Sequence, residues 1–296
     1  MTFTVPEPEL AALEEQVRAA LRTADDRELT VLGYGEVTLV LRLDTETGSF
    51  ACKRLPVFPT RERFARYARS LEEYLTRLAD AGVRVAPTVL WTMPLPSGKV
   101  VAYCVQRALP ADRLCSRLLH TEGDAWAEQF FGRLLAVVDG AVGPCLGIDG
   151  QAANWVDLDG ELVYLDVTTP MLRDERGRER LDVRLFFSSL PWALRDVVRL
   201  SMTRSIFDKF YSTRGVLLDF LGNLHKERLE KLVPGFLDQA AARVNPALTV
   251  GEVAAYYRDD ARMWELIQRL RKADRYWHRG IRRRPYPFLL PPDVDR

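Results

Sequence analysis

Asp149, four intervening residues and Asn154, then Asp166 after a short turn-bearing stretch, are the residues of this chain whose types and spacing could do chemistry together. A carboxylate on a loop can take the proton of an attacking hydroxyl. An amide oxygen and a second carboxylate are hard ligands of the kind that hold the magnesium ions accompanying phosphate groups. The chain has only three asparagines among 296 residues, so a chance Asp-x4-Asn match in such a context is uncommon. Together they could serve proton transfer beside a bound hard cation.

The residues between these groups supply a way to position them. Trp155-Val156-Asp157 and Glu161-Leu162-Val163-Tyr164-Leu165 read as two short strands around Asp157-Leu158-Asp159-Gly160. Asp-Gly is a strong hairpin-turn signal. A hairpin over 154–166 would bring the amide at its start beside the carboxylate at its end.

Upstream, Leu32-Gly33-Tyr34-Gly35-Glu36-Val37 lies between apolar runs. Gly33 and Gly35 would let backbone amides approach phosphate without side-chain obstruction. An ordinary β-turn explains a lone Gly-x-Gly equally well. Lys53 is more specific, because only six of the 42 basic residues are lysine and this one sits inside the strand Phe50-Ala51-Cys52-Lys53. Period-2 alternation puts Ala51 and Lys53 on one face, with Phe50 and Cys52 on the other. A small residue beside a compact ammonium suits a nucleotide whose base packs on the sheet and whose phosphates reach the lysine. A solvent-exposed strand lysine is the plainer alternative.

Residues 60–81 read as a long amphipathic helix with Phe64, Ala68, Leu71, Leu75 and Leu78 on one face. At 100° per residue Glu72 flanks that stripe and Glu73 points away from it. Glu72 is therefore the glutamate expected to pair with Lys53.

Around these pieces the pattern gives a helix over 9–23, β-rich runs over 29–43 and 49–55, and strands over 83–93 and 99–107. Beyond Ala108-Leu109-Pro110 the spacing is helical over 112–120, 124–138, 192–211, 213–232, 235–243, 249–258 and 259–278, apart from the 154–166 hairpin. The shift near residue 108 divides the chain into an N-terminal lobe, 1–108, and a helical lobe, 109–296. The expected fold class is α+β, with an antiparallel sheet plus one long helix followed by a mostly helical part.

Bulk properties bound the remaining possibilities. A hydrophobic content of 47%, with 28% charged residues and a net charge of +1, describes an ordinary globular chain and gives no reason to invoke nucleic acid or an anionic membrane. Cys52, Cys104, Cys115 and Cys145 lack Cys-x-x-Cys spacing, which argues against zinc and a disulfide framework. The N-terminus lacks a signal-peptide pattern and no apolar run reaches spanning length. A reduced, cytoplasmic protein without a membrane anchor is expected. His120, His225 and His278 stand in unrelated contexts and read as structural. The stretch from Arg258 to Arg284, with ten Lys/Arg against four acidic residues, reads as a solvated helix face.

In order, Gly33/Gly35, Lys53, Glu72, a hinge at Gln106–Ala108, Asp149, Asn154 and Asp166 resemble the layout of protein-kinase-like enzymes, and most of all their aminoglycoside and choline phosphotransferase branch. The resemblance covers residues 29–170 in motif. It implies a two-lobed kinase-like fold binding ATP and Mg2+, with the nucleotide in the first lobe and the acceptor site in the second. By position, Asp149 would be the catalytic base, and Asn154 and Asp166 the magnesium ligands. Lys53 would contact the α- and β-phosphates, Glu72 would orient it, and the backbone of Gln106-Arg107-Ala108 would bind adenine. The chain departs from the family at Gly147, where a histidine is usual, and at Val167-Thr168, where Phe-Gly is usual. The implied activity is phosphorylation of a hydroxyl on a small molecule. The alternative is a nucleotide-binding pseudokinase with a regulatory or scaffold role. The absence of Ala-Pro-Glu after Asp166 weakens a protein substrate.

Overall fold

The computed structural model describes residues 3–5, 7–23, 25–34, 39–182, 207–281, 283 and 286. Gly35 and most of the expected helix over 192–211 lie outside them. The first part is a five-stranded antiparallel sheet in the order β1-β2-β3-β5-β4, made of β1 (Val31–Tyr34), β2 (Leu39–Thr45), β3 (Gly48–Arg54), β4 (Thr88–Pro94) and β5 (Val100–Arg107). The fold is α+β, with sheet and helices segregated along the chain as expected.

Each face of the sheet has its own cover. Helix α1 (Glu7–Thr23) lays Leu10, Leu13, Val17 and Ala20 on Leu41, Phe50, Cys52, Val101 and Val105. Glu14 is fully buried in that layer and accepts hydrogen bonds from Arg54 Nε (2.8 Å) and Tyr103 Oη (2.7 Å). Burial opposes its charge, but those donors and Arg18 win and hold its carboxyl below the usual range. The opposite face carries α2 (Arg61–Asp80), started by the Thr60 side chain accepting from the Arg63 N–H as an N-cap should.

The α2 stripe differs from the expected one. The buried residues are Tyr67, Leu71, Tyr74 and Leu78, which rotates the inward face by about 50° from the line through Phe64, Leu71 and Leu75. Tyrosine supplies as large an apolar body as phenylalanine while keeping a polar tip, and here the two tyrosines take the core side.

After β5 come α3 (Cys115–Thr121), α4 (Asp124–Ala141), the hairpin β6 (Trp155–Leu158) and β7 (Glu161–Tyr164), then α5 (Thr213–Lys226), α6 (Val233–Ala240) and α7 (Val250–Tyr276). Phe131 stacks on Phe236 with centroids 4.3 Å apart, and both join one core that runs without a break from α2 to α5 and α6. Helix α7 is continuous where the spacing suggests two segments. It holds no internal Pro, and past its first turns only Arg271 and Asp274 are buried, so a drifting apolar pattern there marks solvation rather than a break. All four cysteines are free thiols. No described helix is long and apolar enough to cross a membrane.

Candidate active site

The Asp149 loop is held mainly by its own backbone. Gly147 N–H donates to Met171 O (3.0 Å) and Ile148 N–H to Phe210 O (3.2 Å). Asp149 Oδ1 then accepts the N–H of Gln151 at 3.0 Å, an Asx turn that fixes the carboxylate relative to its own loop. A Cβ at Gly147 would lie 2.9 Å from Phe210 O and 3.1 Å from Met171 Cβ. That approach explains why the position holds no side chain.

The hairpin does what its sequence suggests. Asp159 (φ 54°) and Gly160 (φ 90°) form the turn, and Gly160 N–H donates to Asp157 Oδ1 at 2.7 Å. Leu165 N–H donates to Asn154 O at 2.9 Å, so Asn154 lies beside the residue that precedes Asp166. The Asn154 side chain has no protein hydrogen bond among the described residues.

Five contacts fasten the segment around Asp166 to the first part of the chain. Tyr164 pairs with the segment before β4, through Tyr164 N–H to Arg84 O (2.8 Å) and Ala86 N–H to Tyr164 O (3.0 Å). Gln106 Nε2 donates to Leu165 O at 3.0 Å. Lys53 Nζ meets Asp166 Oδ1 at 2.7 Å, and Tyr67 Oη donates to Thr168 O at 3.0 Å. The sheet and helix therefore grip residues 164, 165, 166 and 168.

The two carboxylates have opposite electrostatics. Burial raises the Asp149 carboxyl, the neighbouring Asp219 carboxylate raises it further, and it is pushed up to about 7. Burial also opposes the charge of Asp166, but Lys53 and the Thr168 hydroxyl, which donates to Asp166 Oδ1 at 2.9 Å, hold its carboxyl below the usual range. Asp219, on α5, receives Lys209 Nζ at 2.6 Å, Tyr256 Oη at 2.5 Å and Gln151 Nε2 at 3.2 Å. The surroundings of Asp149 and Asp166 thus push the two carboxyls in opposite directions.

Most of the expected residues gather here, and two expectations need correction. Lys53 and Ala51 share a face while Phe50 and Cys52 are buried on the other. Gly33 lies in β1 at a slip in register against β2. Glu72, by contrast, is exposed, and Lys53 pairs with Asp166 instead. The rotated stripe of α2 carries Glu72 into solvent, and Glu73 bonds Arg77 (3.0 Å) and Arg180 on the outside. At the expected hinge, Ala108 N–H already donates to Ser49 O at 2.9 Å, so it is no free donor for adenine. Arg107 turns outward, its guanidinium 5.5 Å from the Phe50 ring centre, and Gln106 braces Thr88 and Leu165.

Sequence reasoning missed Tyr67, Tyr74, Thr168, Lys209, Asp219 and Tyr256. Only the tyrosines left a signal, seven positions apart on the apolar side of α2. Thr168 lies two positions from Asp166 and bonds it locally, whereas Lys209, Asp219 and Tyr256 join through tertiary packing that no local spacing reports.

The oxygen set at the hairpin suits a hard divalent cation. Asp166 Oδ1 is engaged by Lys53 and Thr168, whereas Oδ2 has no partner among the described residues, and Asn154 pairs through its backbone carbonyl with Leu165, the residue before Asp166. Magnesium commonly takes one or two protein ligands and fills its remaining positions with water and phosphate oxygens. One carboxylate with one amide fits that habit.

Residues 12–275 match the family of unknown function DUF6206; the chain belongs to that family. No curated protein matches the sequence. Among solved structures, WaaP in complex with acyl carrier protein is similar at 17% identity, covering 78% of this chain and 99% of that one, with a TM-score of 0.35. A MAP kinase of Leishmania major is similar at 14% identity, covering 83% of this chain and 78% of the other, with a TM-score of 0.33. Likenesses this distant carry no argument about activity.

Proposed function

We propose that this protein is an ATP- and magnesium-dependent phosphotransferase acting on a hydroxyl of a small molecule. The observation that carries the reading is the Lys53–Asp166 contact, 2.7 Å across the interval between sheet and hairpin, with Asn154 paired through its backbone to the residue before Asp166. A sheet lysine next to a carboxylate and an amide is an arrangement able to hold the phosphates and the cation of a nucleotide together. Bound there by Asp166 and Asn154, magnesium would neutralise charge on the phosphates.

The chain's own groups supply the rest. Lys53 holds the phosphates while the acceptor hydroxyl approaches the γ-phosphorus. Asp149 takes the hydroxyl proton as the new O–P bond forms, and the bond from the γ-phosphorus to the bridging oxygen breaks to release ADP. A carboxyl near neutrality is well matched to receiving a proton at physiological pH. The acceptor pocket falls to the helical part.

The reading as a non-catalytic nucleotide binder draws on the exposed Glu72, which leaves Lys53 without the orienting glutamate that the resemblance implies. Labelled ATP incubated with metabolite extract separates the two. Phosphotransfer requires a labelled product from the wild type that Asp149→Asn lowers by roughly 10²- to 10⁴-fold with ATP affinity nearly unchanged. Nucleotide binding with no labelled product from either protein favours the non-catalytic reading.

A further inference from the structure

Helix α2 carries no glutamate to the site, yet it touches both carboxylate-bearing loops. Tyr67 Oη donates to Thr168 O at 3.0 Å, two residues after Asp166, and Tyr74 Oη donates to Gly147 O at 2.9 Å, two residues before Asp149. Seven residues amount to nearly two full turns, so both rings leave the same face of the helix, about 10 Å apart along its axis. Both rings are buried, Tyr74 completely.

We infer that Tyr67 and Tyr74 are positioning residues that fix the separation of Asp149 and Asp166, so that α2 acts as a ruler between the two loops. The inference rests on the phosphotransferase reading and gives α2 a role there without an acidic side chain. A rigid helix with two hydroxyls at fixed spacing adds one defined distance between the two loops to the backbone bonds that already hold each of them. Gly147 sharpens the point. No side chain fits at that position, since a Cβ would meet Phe210 O at 2.9 Å, so no residue there could brace the loop from within. The Tyr74 hydroxyl reaches its carbonyl from outside. Burial pushes both phenols above their ordinary range, which keeps them protonated as donors throughout the neutral range. Tyr67 and Tyr74 also sit on the helix that follows the Lys53 strand, so movement of α2 would displace both loops together.

The test uses Tyr67→Phe and Tyr74→Phe, which keep the rings and remove only the donors, with Tyr103→Phe as comparison. Tyr103→Phe also removes one buried tyrosine hydroxyl, bonded there to the Glu14 carboxylate, and touches neither loop. Amide hydrogen exchange should rise selectively: at residues 147–151 in Tyr74→Phe, at residues 166–168 in Tyr67→Phe, and at neither in Tyr103→Phe. Magnesium-dependent ATP hydrolysis, with water as acceptor, should fall by roughly 10- to 100-fold in kcat in the first two variants, as for a misplaced reacting group, with KM for ATP nearly unchanged in Tyr74→Phe and raised in Tyr67→Phe, whose loop carries Asp166. Selective exchange in a protein that neither binds nor hydrolyses ATP would uphold the ruler and remove the phosphotransferase reading. Unchanged exchange in both folded variants, or equal increases in all three, would overturn the ruler. Should one variant fail to fold, the other paired with Tyr103→Phe decides on its own loop.

Discussion

Lys53 and Asp166 meet at 2.7 Å although 113 positions separate them. The pair joins the central part of the sheet to the end of the hairpin, and it leaves one oxygen of Asp166 without a protein partner among the described residues. Both side chains are partly accessible, 18% and 30%, so the contact can open to admit phosphate and cation.

The pair should be measurable without any substrate. Lys53→Met and Asp166→Asn should each lower stability, and a double-mutant cycle in denaturant should return a coupling of about 1 kcal/mol, moderated by solvent. Additive single effects would show that the contact is not maintained in solution.

Ionised Asp149 should weaken the fold. Its folded-state carboxyl titrates near 7, above the unfolded value, so its favourable contribution is complete at low pH and is lost as pH rises through the folded value. Asp149→Asn should therefore raise Tm at pH 8, by roughly 2–4 °C for each kcal/mol relieved, and change it little at pH 4. Thermal melts across that range check the sign. A variant less stable at pH 8 than at pH 4, relative to wild type, contradicts it.

Asp219 raises the Asp149 carboxyl through like charge. Asp219→Asn should shift the Asp149 titration downward and move the acid limb of any phosphotransfer profile to lower pH, since the base must be ionised to act. Carboxyl NMR reads the shift directly. An upward shift would contradict the like-charge origin of the raised Asp149 carboxyl.

Gly147→Ala should cost about 1–3 kcal/mol, because the added methyl meets backbone that cannot move aside. Chemical denaturation checks the magnitude. A neutral effect would show that the Phe210 backbone yields.

Much of the site was legible because its cues are local. Asp159-Gly160 specified the hairpin, the hairpin placed Asn154 near Asp166, and strand alternation separated Lys53 from Cys52. Glu72 failed for a physical reason: the apolar stripe was drawn through Phe64 and Leu75, while the tyrosines form the inward face and turn the glutamate outward. The commitment of Ala108 N–H to Ser49 O was invisible, since strand extension past Arg107 depends on pairing with a distant segment. The Asp219, Lys209 and Tyr256 cluster is likewise assembled from α5, α7 and the segment before α5, with no shared spacing to betray it. The continuity of α7 was obscured by its solvated surface.

In the proposed function Asp166 couples a divalent cation to a nucleotide held by Lys53. The decisive measurement is the stability increment that magnesium adds to ATP binding, compared between wild type and Asp166→Ala. Saturation at 100 times the dissociation constant should stabilise the wild type by about 2.7 kcal/mol. This stabilisation should depend on magnesium in the wild type, and the magnesium-dependent part should disappear in Asp166→Ala. A wild type indifferent to magnesium–ATP, or an Asp166→Ala variant that keeps the full magnesium increment, would contradict it.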